Sequence, residues 1–170
     1  MKKAIVMSIL LSLALAACDS GQKKDEPVVA TSAVGSEDAV VKQANSQLAK
    51  VPYDGFEYKS SSVPAQKYDK WATAAAPVIK SVIDNLPNGY VLMIKGHSDS
   101  TVAENPKGKL VTNQTLSEMR AKAVYDALRN KGITSPKLKY MGVGDSEPIS
   151  GVPSTDGKNR RVTFEVVKGN

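Results

Sequence analysis

The 170-residue sequence has one cysteine, Cys18, and one histidine, His97. A single cysteine excludes an intrachain disulfide and a cysteine-built metal cage. A single histidine leaves any metal site to carboxylates, so no zinc or other metal site is expected. Aromatic residues make up only 5% of the chain, and no dense Lys/Arg block occurs. Base-stacking platforms and nucleic-acid partners are therefore not expected. The longest apolar run, Ala4–Ala17, falls short of the about 20 residues that span a bilayer. There is no Gly-x-Ser-x-Gly elbow and no second histidine to serve a nucleophile. A non-enzymatic protein without a cofactor is the expectation.

Hydrophobic residues are 41% and charged residues 24% of the chain, which suits a globular protein. The chain begins with Lys2 and Lys3 and continues into the apolar run, the pattern of a secretory signal. The run ends in Leu15-Ala16-Ala17-Cys18, which resembles the bacterial lipobox. That resemblance implies cleavage after residue 17 and acyl chains on Cys18, the lipidation site. Two or more acyl chains hold a bilayer stably, at about 0.8 kcal/mol per buried CH₂. Removing Lys2 and Lys3 leaves 21 basic residues against 17 acidic, a net charge of +4. Such a mild excess favours an anionic polymer or membrane surface.

Three segments are expected: a signal peptide over 1–17, a lipidated flexible tether over 18–50, and a folded domain over 51–170. The tether is rich in Ser, Ala, Gly, Lys and acidic residues and has no aromatic residue. Such composition buries too little surface to offset the entropy of ordering, although a weak helix from Glu37 onward is compatible with it. As coil, its reach is roughly 30 Å on average and roughly 100 Å when stretched. From Val51 onward, hydrophobic periodicity appears. Phe56 and Tyr58 alternate with charge as in a short strand. A helical region follows with Trp71, Val78, Ile79, Val82, Ile83 and Leu86 at helical spacing, where Pro77 either kinks one helix or opens a second. "YVLMIK" at 90–95 reads as a strand covered on both faces. "TLSEMRAKAVYDALRNKG" has a Thr115/Glu118 capping box, an apolar stripe and a terminal Gly132. "KLKYMGVG" and "RVTFEVV" read as two closing strands. The expected class is an α/β (α+β) sandwich of order βαβαββ, with helices packed on a small mixed sheet.

Asp99 follows the apolar strand at its carboxyl end, where α/β sheets commonly take ligands. Arg120 lies four residues after Leu116 and four before Val124, on the helix face that packs inward. A guanidinium there needs an acceptor. The two form either a structural salt bridge or a clamp for a zwitterion. The ordered motifs "IKGHSD", "NQTLSEMRAKAVYDALRNKGI", "LKYMGVGDSEPIS" and "NRRVTFEV" are similar to those of the OmpA-like peptidoglycan-binding domain family, over roughly residues 52–167. The lipobox, the tether and "APVIKSVIDNLPNGY" look closest to OmpA-family surface lipoproteins of leptospires. The resemblance implies a fold of that family and a peptidoglycan partner. It also implies that Asp99 takes the ammonium, and Arg120 the carboxylate, of diaminopimelate in the wall's stem peptide. Asn113 and Arg160 match further pocket positions. Two features depart from the family pattern: Val102 stands where glycine is usual, and the loop after Asp99 is about six residues longer.

Simpler roles compete for several of these residues. His97 is expected to pack or hydrogen-bond in the core. Asn113 suits a turn or cap, and either Arg160 or Arg161 suits a solvated strand start. Trp71 is expected in the core, and Asp145 and Glu147 in a solvated turn. The resulting expectation is a lipid-anchored outer-membrane protein that faces the periplasm and links membrane to wall. The other reading is a surface-exposed adhesin contacting host molecules, which the tether would equally permit.

Overall fold

The computed structural model describes residues 33–169, apart from 102 and 105–109. The expected signal peptide, Cys18 and the first part of the expected tether lie outside the described residues. Helix α3, Asn113–Asn130, buries Leu116, Ser117, Arg120, Ala121, Val124 and Leu128, one face at helical spacing. Its cap is Thr112, whose Oγ1 accepts from the Thr115 amide at 3.1 Å. The cap thus lies three residues before Thr115, the expected one. At the other end Gly132 has φ +86°. The amides of Gly132 and Ile133 bond to Arg129 O and Leu128 O, a Schellman closure that only a residue tolerant of positive φ permits cheaply.

Helix α2, Ala65–Asp84, runs through Pro77 as one continuous element. Strands β1 (Tyr53–Asp54), β2 (Tyr90–Gly96), β5 (Leu138–Gly142) and β6 (Arg161–Lys168) form a mixed sheet of order β1-β6-β2-β5. β2 pairs parallel with β5 and antiparallel with β6, whose other edge meets β1 antiparallel. The class is the expected mixed α/β arrangement. Leu92, Ile94, Val162, Phe164 and Val166 turn one face of the sheet into the core with Ile79, Val82, Val124 and Leu128. On the other face Val91, Met93 and Lys95 are half-buried, so β2 is fully covered on one face only.

Three elements depart from expectation. The first strand comprises Tyr53 and Asp54, not the stretch around Phe56 and Tyr58. Helix α1, Ala33–Leu48, belongs to the same compact unit as the sheet, inside the stretch expected to be tether. Ala44 and Leu48 are buried in the core, and Asn45 Oδ1 accepts from the Val166 amide of β6 at 2.7 Å. Two small apolar anchors and one edge hydrogen bond suffice without any aromatic residue. Third, the long loop after Asp99 contains a short antiparallel ladder, β3 (Ala103–Glu104) with β4 (Leu110–Val111).

Two glycines allow α3 to lie close against the sheet. A Cβ on Gly96 would stand 1.9 Å from Ser117 O, and one on Gly142 would stand 2.5 Å from the Glu118 amide nitrogen. Both obstacles are helix backbone, which has no side-chain freedom to yield. The Ser117 hydroxyl seals the contact by donating to Gln114 O and accepting from the Gly144 amide, each at 2.8 Å.

Candidate functional site

The chain leaving β2 is pinned in turn by three other segments. The His97 amide bonds to Arg161 O, that of Ser98 to Gly144 O, and that of Ser100 to Ser154 O. Between the last two, Asp99 turns inward and is only 3% exposed. A carboxylate so enclosed needs donors. Oδ2 accepts from Arg160 NH1 at 2.8 Å. Oδ1 accepts from the Thr101 amide at 3.2 Å and from the Thr101 hydroxyl. Burial pushes the Asp99 carboxyl upward, but the Thr101 and Arg160 hydrogen bonds outweigh it and hold it below its usual value.

Arg160 follows the 3₁₀ turn Gly157–Asn159. That turn is fixed by Asn159, which is fully buried. Its Nδ2 donates to Pro153 O and Ser154 O, and its Oδ1 accepts from the Ile149 amide. Asn159 therefore sets the position of its neighbour. Arg160 Nε donates to Phe56 O at 3.0 Å, its guanidinium lies 5.8 Å from the Tyr58 ring centroid, and its side chain is 21% exposed.

Arg120 is 0% exposed. Its Nε donates to Ser60 O at 2.9 Å, NH1 to His97 O at 3.0 Å and NH2 to Glu57 O at 3.5 Å. Its guanidinium also lies over the Phe56 ring, 5.3 Å from the centroid. Burial lowers its pKa to about 10, and the nearby charge of Asp99 opposes that shift. The structure thus overturns the alternative of a direct Asp99–Arg120 salt bridge. Asp99 and Arg120 belong to one charge cluster, but the direct ion pair of Asp99 is with Arg160. Arg120 is instead held by backbone carbonyls. One carboxylate with two guanidiniums leaves the cluster one positive charge in excess.

Asn113 occupies the first turn of α3, and its Oδ1 is buried without a hydrogen-bond partner. The structure gives Asn113 no bond to Asp99, Arg120 or Arg160. His97 stands apart from the cluster. Its Nε2 meets Thr163 Oγ1 at 2.8 Å, and burial lowers its pKa to about 4, helped by the charge of Arg161. That is a packed, neutral histidine. Glu147, expected in a solvated turn, pairs with Lys95 at 2.6 Å. Among the described residues, no group of three or more His, Cys, Asp or Glu side chains could hold a metal ion.

Sequence reasoning missed the contribution of 56–60. That stretch gives the site backbone carbonyls, which leave no signal in residue type, together with the rings of Phe56 and Tyr58 beside the two guanidiniums. Thr101 and Asn159 were legible in principle: a hydroxyl two residues after a carboxylate and an asparagine before two arginines both suit local hydrogen bonding.

The OmpA family model matches residues 56–161, a span that includes Asp99, Asn113, Arg120 and Arg160. Outer membrane porin F of Pseudomonas aeruginosa is 38% identical over 76 residues, 43% of this chain and 20% of that protein. Outer membrane protein A of Escherichia coli O157:H7 is 34% identical over 93 residues, 54% of this chain and 25% of that protein. The chain therefore spans a quarter or less of the length of these two relatives. Among solved structures, the peptidoglycan-associated lipoprotein from Burkholderia pseudomallei superposes with a TM-score of 0.53 at 24% identity, covering 75% of this chain and 99% of that one. The periplasmic domain of Helicobacter pylori MotB gives 0.51 at 22% identity, covering 68% and 71%. These two likenesses show the fold. The family match over more than half of the sequence shows that this chain belongs to the OmpA family.

Proposed function

We propose that the domain binds peptidoglycan non-covalently, through the free amino-acid end of the diamino acid in its stem peptide. The observation that carries this reading is the Asp99–Arg160 ion pair with Arg120 beside it, at the carboxyl end of β2. A zwitterionic end presents one ammonium and one carboxylate. Asp99 accepts from the ammonium, and a guanidinium fork receives the carboxylate in two parallel hydrogen bonds. The excess positive charge favours a ligand with a further carboxylate, as diaminopimelate has. Arg160, partly exposed, is the first cation such a ligand meets. Asn113 Oδ1, buried and unpartnered, is a further acceptor. Membership of the OmpA family and the fold of a peptidoglycan-associated lipoprotein support the same partner.

The role in this reading is binding rather than catalysis, which the contact of His97 with Thr163 supports. With acyl chains on Cys18, the protein ties the outer membrane to the wall from the periplasmic side. Co-sedimentation of the purified full chain with sacculi tests the binding. The wild type is expected to pellet, and free diaminopimelate to release it. Asp99→Asn is expected to stay in the supernatant while retaining the circular dichroism of the fold. Binding by Asp99→Asn equal to wild type would reject the site. For the anchor, labelling cells with an alkyne fatty acid should mark the wild type and not Cys18→Ser.

A further inference from the structure

The two arginines offered to a ligand carboxylate are already engaged by a single short segment. Arg160 Nε holds Phe56 O, and Arg120 holds Ser60 O and, at longer range, Glu57 O. The segment is a turn closed by the Ser60 amide on Glu57 O at 3.1 Å. Its ends are fixed: Phe56 is 2% exposed in the core, and Ser61 O accepts from the Tyr68 hydroxyl. Its tip faces solvent, with Tyr58 55% exposed. At that tip Lys59 has φ +55°, the one non-glycine residue at positive φ among the described residues. A side chain there strains the backbone, so the turn is held against a local cost.

We propose that the Phe56–Ser60 turn is an internal competitor of the carboxylate ligand for Arg120, and that binding swings Glu57–Ser60 away from that guanidinium while Phe56 O stays on Arg160 Nε. The proposal rests on the peptidoglycan reading above. Its chemistry is an exchange of acceptors. The turn offers neutral carbonyl oxygens, whereas a ligand offers a carboxylate, whose hydrogen bonds to guanidinium are roughly twice as strong as those between neutral groups. The exchange also explains how Arg120, enclosed in the free protein, becomes available. The turn satisfies its donors until a better acceptor arrives, so no buried guanidinium is left unpaired. Apparent affinity is then the intrinsic affinity reduced by the fraction of open turn.

Residue 59 gives a handle on that fraction without touching any ligand-binding group. Glycine adopts positive φ freely and stabilises the closed turn, while alanine retains the strain and has the same loss of charge. Titration of full chain with free diaminopimelate should give Lys59→Gly a Kd about fivefold weaker than Lys59→Ala. Amide exchange supplies a second readout: the Ser60 amide, bonded to Glu57 O in the free protein, should exchange faster when the diamino acid saturates the site. Equal affinities of the two variants with unchanged Ser60 protection would overturn the competitor while leaving the binding site intact. Absence of diaminopimelate binding by wild type, Lys59→Ala and Lys59→Gly alike would overturn both.

Discussion

Two charge clusters flank the end of β2, and they differ in the burial of their carboxylates. Lys95 lies on the open face of the sheet and meets Glu147 at 2.6 Å and Glu165 at 3.3 Å, both carboxylates being about half exposed. Asp99, four residues on, meets Arg160 at 2.8 Å with its side chain 4% exposed. The two cations are alike, Lys95 being 18% and Arg160 21% exposed, so the carboxylates make the difference. Water screens and solvates Glu147 and Glu165, whereas the Asp99 carboxylate cannot be left alone without an energetic penalty and must keep a partner or exchange it for another. Burial of the carboxylate, not the presence of opposite charges, separates the two clusters, and under the proposed function the buried one is where a ligand exchanges for a partner.

The comparison can be broken most severely at Gly96, where the chain passes from one setting to the other. Gly96→Ala would drive a Cβ into Ser117 O; a loss of stability above about 3 kcal/mol is expected from such overpacking against backbone. Urea denaturation would measure it, and a soluble, equally stable variant would contradict the close packing of α3. Next in size is acid. His97 titrates at about 4 in the fold against about 6.5 unfolded. A depressed value means that the unfolded chain binds the proton first. The stabilisation is thus complete above pH 6.5 and is lost as pH falls toward 4, up to about 3 kcal/mol in all. His97→Gln should flatten most of that slope between pH 6.5 and 4. Asp99, also depressed, is a carboxyl, so its contribution is present above the ordinary carboxylate value and fades only at lower pH, after that of His97.

Asp99→Ala is expected to cost about 2 kcal/mol, because Arg160 loses its buried partner but regains some water. Glu165→Gln, on the exposed pair, should change stability by under about 1 kcal/mol and leave sacculus binding unchanged. The ratio of these two effects, measured in the same denaturant series, expresses the comparison directly. If Glu165→Gln matched Asp99→Ala in both stability and binding, burial would not be what distinguishes the pairs.

Where local periodicity carries structure, the sequence was informative. The stripe of α3, its Gly132 stop, the apolar β2 and the alternation of β6 each depend on neighbours within a few residues. The OmpA-like motifs located Asp99, Arg120 and Arg160 because their order along the chain is specific. Failures came where long-range contacts decide. Phe56 and Tyr58 alternate like a strand, yet the stretch is a turn whose carbonyls are taken by Arg120 and Arg160, 60 or more residues away. No local pattern reports such capture. Likewise α1 lacks the apolar density of a core helix, and its place is secured by Ala44, Leu48 and one hydrogen bond to a strand more than a hundred positions later. The pairing of Asp99 with Arg160 rather than with Arg120 has the same origin. Spacing within α3 shows that Arg120 points inward, but not that the backbone at 57–60 and at His97 will satisfy it.

Under the proposed function, the buried carboxylate of Asp99 takes the ammonium of a wall diamino acid while guanidinium takes its carboxylate. Calorimetric titration of folded wild-type and Asp99→Asn chains with free diaminopimelate tests it most directly, because the substitution removes one charge and keeps the shape. Saturable binding by wild type and a loss of at least tenfold in affinity for Asp99→Asn are expected. Undiminished binding by Asp99→Asn would contradict it.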